Sequence, residues 1–133
     1  MDAESDRSSI SAGMIIHRIL SESEDVSGMA TKIFPVCITD EKAVLPYIVY
    51  RCVKQEPTPA KPQRGYDSCL MAVDCLGDLY STAVELAESV RSALENGECT
   101  ADGITLSSCL MTDREEFYEA DAYVERLIFT VCI

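Results

Sequence analysis

Tryptophan is absent from the 133-residue chain, and aromatic residues make up only 7% of it. Aliphatic residues, methionine and cysteine must therefore supply most of the core volume. Hydrophobic residues still reach 47%, which is typical of a packed globular protein rather than a disordered chain. The length suits one domain, because two independent cores of half this size would each be marginally stable.

Basic residues are scarce: 11 Lys and Arg stand against 23 Asp and Glu, and the formal net charge is -12. Nucleic-acid binding normally depends on basic side chains that neutralise phosphates, so we expect no specific binding to DNA or RNA. The acidic surface also disfavours anionic membranes, and no apolar run approaches the roughly 20 residues that span a bilayer. Because the N-terminus is acidic and polar, we expect no signal peptide and a cytosolic protein.

The sequence holds little reactive chemistry. His17 is the only histidine and lies in an apolar helical stretch, so we expect it to be structural or on the surface. No CxxC pair occurs, and Cys69 and Cys75 would lie roughly 20 Å apart on one strand, too far to share a metal ion. Phosphate-binding glycine loops, GxSxG elbows and HExxH helices are also missing. We therefore predict no catalytic residue, no cofactor and no metal site.

Seven cysteines suggest disulfides at first sight, but the number is odd and the expected compartment is reducing. Five of them lie in apolar, strand-like runs, where a free thiol behaves as a small hydrophobic side chain. These five are Cys52, Cys69, Cys75, Cys109 and Cys132. We therefore predict reduced thiols in the core.

Residues 1–9 are predicted to be a flexible tail, and residues 10–133 a single domain. Hydrophobic periodicity and turn residues predict its elements. In order, these are a helix near 14–20, a connector or short helical turn at 26–32, a short strand at 33–36, strands at 45–53 and 68–76, a helix at 79–96, and strands at 104–111 and 123–133.

These elements predict an α+β fold, with a mixed, mainly antiparallel sheet of four to five strands and two helices packed on one face. The other face of the sheet would remain partly apolar, which favours a binding partner. Residues 113–121 are predicted to be an acidic, solvated connection between the last two strands.

The helix at 79–96 has the clearest pattern. Asp78 is predicted to cap its N-terminus, and Gly97 to end it in a left-handed conformation. Its apolar stripe follows i, i+3, i+4 spacing. The stripe consists of Leu79, Ala83, Leu86, Ala87, Val90 and Leu94.

The order and spacing of four segments carry a family resemblance. An N-terminal helix is followed by Pro-Tyr-Ile-Val-Tyr at 46–50, and a later strand runs into a helix containing Leu-Ala-Glu-Ser-Val-Arg-Ser-Ala-Leu at 86–94. The chain ends on the strand at 125–131. Over residues 10–133 this layout resembles the tail completion or tail terminator proteins of long-tailed phages and prophages, among them the small tail-to-head joining proteins of siphophages.

The resemblance implies a structural protein that assembles into a ring, typically a hexamer, which caps the tail tube and joins it to the head. Its implied partners are copies of itself, the tail tube protein and head–tail connector proteins, and DNA would pass through the ring. Its implied location is the cytoplasm of the bacterial host during assembly and then the tail–head junction of the virion.

Two segments are predicted to contact neighbouring subunits or the tube. One is the loop at 55–65, which contains three prolines and a glycine, and the other is the acidic connection at 113–121. The individual residues are Gln55, Glu56, Pro57, Lys61, Arg64, Glu115, Glu116 and Tyr118.

Three other functions remain open at this point. Another head–tail connector or neck subunit would have a similar size. A cytosolic protein-binding module with no phage role would present the apolar sheet face to one partner. An enzyme that uses His17 and a cysteine is the least favoured, because no catalytic constellation accompanies them.

Overall fold

The computed structural model describes residues 8–56, 67–97, 100–101 and 103–133. The helices of this part are α1 (Ala12–Glu22), α2 (Glu24–Met29) and α3 (Tyr80–Glu95). The strands are β1 (Ile33–Pro35), β2 (Tyr47–Glu56), β3 (Ser68–Gly77), β4 (Thr100–Ala101), β5 (Ile104–Thr105), β6 (Ser108–Glu119) and β7 (Ala122–Cys132). None of the described helices has the length and apolar character needed to cross a membrane.

A five-stranded sheet in the order β1-β2-β3-β7-β6 forms the centre of the fold. β1 runs parallel to β2, and the other neighbouring strands are antiparallel. β4 and β5 form a separate two-stranded sheet. The predicted α+β class and mixed, mainly antiparallel sheet are therefore confirmed.

The helices lie on one face of this sheet. α1 packs on β1 and β2, and α3 packs on β3, β7 and β6. The core lies between the two layers, and alternate residues of the central strands point into it. On β7 these are Leu127, Phe129 and Val131, all buried as the alternation predicts.

Serines start the first two helical segments. The Ser8 side chain accepts a hydrogen bond from the Ile10 amide at the start of a short 3-10 helix that leads into α1. The Ser23 side chain accepts one from the Val26 amide, and two acidic residues in the first turn of α2 favour its positive end. The helical alternative predicted for residues 26–32 is therefore confirmed for residues 26–29, which belong to α2 and add a third helix to the two that were expected to pack on the sheet.

α3 begins and ends differently from the prediction. Its N-cap is Leu79 rather than Asp78, because the helix starts only at Tyr80. Leu79 is extended and 60% exposed, so it lies outside the buried stripe, whereas the other predicted stripe residues are buried. Gly97 is not left-handed; it is required by close packing, because a Cβ there would lie 2.9 Å from the Ala93 carbonyl oxygen and 3.2 Å from Ile19.

The acidic segment at 113–121 is not a connection, which corrects the prediction. β6 continues through it to Glu119, paired with β7 throughout except at one bulge between Met111 and Asp113. Pairing with an apolar central strand outweighs the poor strand propensity of the carboxylates. The predicted strand at 104–111 is also divided, because Ile104 and Thr105 pair with β4 before β6 begins.

Candidate assembly surfaces

A cluster of three tyrosines, here called the tyrosine cluster, lies at the end of the β6–β7 hairpin. Tyr118 and Tyr123 face each other across the strands, with ring centroids 4.9 Å apart. Tyr80, at the start of α3, lies edge-on to Tyr123 at 6.0 Å. All three are exposed. Exposed tyrosines are rigid and amphipathic, so such a cluster is typical of a protein-binding surface.

A tight turn brings Tyr118 and Tyr123 together. Its two central residues, Ala120 and Asp121, have positive φ angles of 51° and 63°. Two consecutive left-handed residues are typical of the type I′ turn, whose twist matches that of antiparallel strands. The hairpin end is therefore a fixed surface rather than an irregular acidic loop.

Three charged residues lie beneath the tyrosine cluster. Glu125 is only 2% exposed, and its Oε1 accepts a hydrogen bond from Arg114 Nε at 2.9 Å. Arg114 Nη2 also lies 2.6 Å from Glu116 Oε2, to which the Tyr80 hydroxyl donates at 2.9 Å. The network therefore ties the start of α3 to the hairpin.

The two carboxyl groups of this network titrate differently. Burial raises the pKa of Glu125, and its hydrogen bond with Glu116 raises it further. The same hydrogen bond, together with the one from Tyr80, lowers the pKa of Glu116. A proton taken up here therefore resides on Glu125, which can then donate to the Glu116 carboxylate.

The face of the sheet opposite the helices, here called the open face, is centred on an ion pair. Arg126 Nε lies 2.7 Å from Asp74 Oδ1, and Nη2 lies 2.9 Å from Oδ2. Glu115 approaches the same guanidinium at 3.8 Å, and the Phe117 ring lies 5.0 Å from it. Neighbouring side chains shield Asp74 so well that it is only 8% exposed.

Apolar side chains surround this ion pair. Strand register assigns Phe34, Tyr47, Val49, Leu70, Ala72, Leu76, Phe117, Val124 and Ile128 to the open face. The described helices all pack on the opposite face, so no helix covers this one. Phe34, Ala72 and Val124 are nevertheless buried, and the other six side chains are half-buried. The partly apolar open face expected from the sequence is therefore present.

Three of the predicted contact residues lie together on β6. Tyr118 belongs to the tyrosine cluster, Glu116 to the network beneath it, and Glu115 to the open face beside Arg126. Sequence reasoning missed Glu125, Arg114, Tyr80 and Tyr123, which complete this corner. The sequence offers one signal for Glu125: it is a charged residue at a position of β7 where the alternation predicts a buried side chain.

Two of the other predicted contact residues lie at the end of β2, on the opposite side of the sheet from β6. Gln55 and Glu56 end β2, and Gln55 Nε2 donates to Ser9 Oγ at 2.6 Å and Asp67 Oδ1 at 2.8 Å. Gln55 therefore fixes the chain before α1 to the end of the sheet. Pro57, Lys61 and Arg64 lie outside the described residues.

The described residues bring together no catalytic constellation around His17. Its Nδ1 lies 3.1 Å from the Tyr50 hydroxyl, a contact between α1 and β2. No group of three or more His, Cys, Asp or Glu in the described ranges could hold a metal ion.

The six described cysteines are free thiols. Burial raises the pKa of Cys69 and of Cys109 to about 12, and it raises that of Cys75 as well, so these thiols stay protonated and unreactive. Cys52 is exposed and Cys132 is only half-buried, so the prediction of core thiols is wrong for these two. Cys52 lies on the part of β2 beyond its pairing with β1, and Cys132 pairs with Ser68 and Ser108 at the end of the sheet.

The fold occurs in a solved particle. A chain of the structure described as "Virion of native gene transfer agent (GTA) particle" superposes with a TM-score of 0.67, covering 88% of this chain and 90% of that chain at 13% sequence identity. At this identity the likeness shows the fold alone. No protein in the curated set matches the sequence.

Residues 15–133 match the protein family described as tail completion protein gp17. The chain therefore belongs to this family, and it is a structural protein of the phage tail. The family resemblance of its sequence is confirmed.

Proposed function

We propose that this protein is a tail completion, or terminator, subunit that assembles with copies of itself into a ring, typically a hexamer. The ring caps the tail tube and joins it to the head. The observation that carries the proposal is the sheet face that the helices leave uncovered, in a chain that already forms its own hydrophobic core. Such a subunit folds alone and keeps a partly apolar surface for contacts with other protein chains.

The partners of the ring are the tail tube protein on one side and head–tail connector proteins on the other. We assign the tube or subunit contacts to Glu115, Glu116 and Tyr118 on β6 and to the chain from Gln55 through Arg64. Tyrosine in an exposed cluster supports the first assignment, since such residues often dominate binding energy at interfaces.

DNA passes through the ring in this proposal. The net charge of -12 supports it, because carboxylates that line a channel repel phosphates and let DNA slide without binding. The subunit would be made and assembled in the cytoplasm of the bacterial host and would remain at the tail–head junction of the virion.

Electron microscopy of the protein mixed with its tail tube protein tests this function. We expect a ring at one end of each tube, and light scattering of the isolated protein at high concentration should give one defined high mass. Tubes that stay uncapped and of uncontrolled length would contradict the proposal.

A further inference from the structure

The sheet has two edges with strand segments that lack a neighbour among the described residues. At one edge, β1 pairs only with Ile48, Val49 and Tyr50 of β2, so residues 51–56 lie beyond it. At the other edge, β6 pairs with β7 on one side only. Here these are called the β2 edge and the β6 edge. Open strand edges are sites where another chain can dock.

The two edges carry opposite charge on the open face. Strand register places Arg51 and Lys54 there on the β2 edge, and Asp113 and Glu115 on the β6 edge. Glu56, the last residue of β2, is the acidic exception on the first edge. Arg114, the basic residue among the acidic ones of β6, turns to the helix side and bonds to Glu125.

One row of the sheet joins the key charges. Arg51 pairs with Ala72, Ala72 with Ile128, and Ile128 with Asp113. Arg51 and Asp113 therefore lie in the same row of paired residues, at opposite edges of the sheet. Among the described residues neither has an ion-pair partner, in contrast to the next row, where Arg126 holds Asp74 and Glu115.

The adjacent row adds apolar contact area. Lys54 pairs with Leu70, Leu70 with Thr130, and Thr130 with Leu110. Leu110 is 56% exposed on the β6 edge, and Val53 at the bulge of β2 is 51% exposed. An edge-to-edge contact would cover both side chains.

Strand direction also permits the contact. Because β2, β3, β7 and β6 alternate in direction, β6 is antiparallel to β2. A second copy that is added beside β6, with its helices on the same side, therefore presents residues 51–56 of its β2 antiparallel to residues 108–113 of β6. Its β1 already lies beside Ile48, Val49 and Tyr50, so the contact is confined to these rows. The Met111 amide is already bonded to Glu95 at 2.8 Å, so side chains rather than a complete backbone ladder would make this contact.

We propose that the β6 edge of one copy docks on the β2 edge of the next, with Asp113 against Arg51. This inference rests on the self-assembly proposed above and names its interface. If two β2 edges met, cations would face cations, and if two β6 edges met, carboxylates would face carboxylates. The charge pattern therefore selects the head-to-tail contact, which is the kind that closes a ring.

Two charge reversals test the interface. Arg51→Glu places a carboxylate against Asp113, and Asp113→Arg places a cation against Arg51. Each variant alone should weaken self-association by at least about tenfold. An equimolar mixture of the two should assemble, because every contact in an alternating ring again pairs opposite charges. Sedimentation velocity over a range of protein concentrations measures each mass.

Lys42→Glu and Glu85→Arg are the matched controls. They make the same charge changes at exposed positions outside β2 and β6, and they should assemble like the unmodified protein. Thermal unfolding by circular dichroism checks that every variant is folded.

The outcomes separate the two proposals. If both reversals assemble normally alone, or if the mixture of folded variants fails to assemble, the interface is wrong while the ring stands. If the unmodified protein remains monomeric at every concentration, both the self-assembly and its interface are contradicted.

Discussion

The Arg126 guanidinium donates two parallel hydrogen bonds, 2.7 and 2.9 Å long, to the Asp74 carboxylate in the middle of the open face. Asp74→Ala would leave this partly buried guanidinium with the 3.8 Å contact to Glu115 as its one ion pair among the described residues. We expect the free energy of unfolding to fall by about 1–3 kcal/mol, measured by urea denaturation.

The paired replacement sharpens this prediction. Asp74→Leu combined with Arg126→Met removes both charges and should cost less than Asp74→Ala alone, since an apolar pair leaves no buried charge without a partner; Glu115, which also loses its contact with Arg126, is exposed. Glu88→Ala, on the exposed surface of α3, is the control and should change stability by no more than about 0.5 kcal/mol. An unchanged urea midpoint for Asp74→Ala would show that the ion pair contributes nothing.

The raised pKa of Glu125 predicts a pH dependence. Its folded-state pKa lies above the ordinary value of 4.5, so its stabilising contribution is present at low pH and is lost as pH rises through the folded pKa. Glu125→Gln removes this loss, while its amide can still accept from Arg114 and donate to Glu116. The variant should therefore gain stability relative to the unmodified protein as pH rises from 4.5.

Thermal or urea unfolding at several pH values measures this difference. Glu85→Gln serves as the control, because it neutralises an exposed carboxylate of α3 that does not line the cavity beside Glu125 and Arg114. A Glu125→Gln difference that stays flat, or that declines with rising pH, would show that burial of the Glu125 carboxylate does not govern its titration.

The thiols should divide into two kinetic classes. At neutral pH, exposed Cys37 and Cys52 should react rapidly with a thiol reagent, whereas buried Cys69, Cys75 and Cys109 should react at least about a hundredfold more slowly until the protein unfolds. Mass spectrometry of labelled peptides assigns each site. Cys37→Ser with Cys52→Ser should remove those two thiols from the fast phase. Rapid labelling of Cys69 in the folded protein would contradict its burial.

Deletion of residues 58–63 should impair assembly and leave the monomer folded. The β2–β3 register continues to Glu56 and Ser68, and shortening a connection changes its closure entropy only slightly. We expect the unfolding temperature to stay within a few degrees of that of the full chain, while ring or tube-capped particles are lost in electron micrographs. Normal assembly of the deletion would remove this segment from the proposed contacts.

The alternation of apolar residues in strands and their i, i+3, i+4 spacing in helices predict most of this fold, because apolar residues recur on the side of each element that is buried. The faces of β7 and the buried stripe of α3 follow from the spacing of apolar residues alone. β6 was not predicted beyond Met111 because its exposed side chains are acidic, and its strand form comes from pairing with β7. The need for glycine at position 97 likewise comes from its contact with Ile19, a residue of α1 that is distant in sequence, so no local pattern predicts it.

The candidate surfaces were only partly predictable for the same reason. The charged segment at 113–121 points to Glu115, Glu116 and Tyr118 as contact residues. Their partners Tyr80, Glu125 and Arg126 come from α3 and β7, and they meet β6 only through the sheet register and the packing of α3 on the sheet. The relation of Arg51 to Asp113 depends on four paired strands and cannot be derived from either segment by itself.

The absence of tryptophan has an optical consequence. Six tyrosines provide the ultraviolet emission of this chain, with no indole to mask them, and half of them form the tyrosine cluster. Docking of another protein on that corner changes the solvent around Tyr80, Tyr118 and Tyr123 together. The intensity and lifetime of the intrinsic fluorescence should therefore register docking on unlabelled material, in real time, provided that the partner is also free of tryptophan.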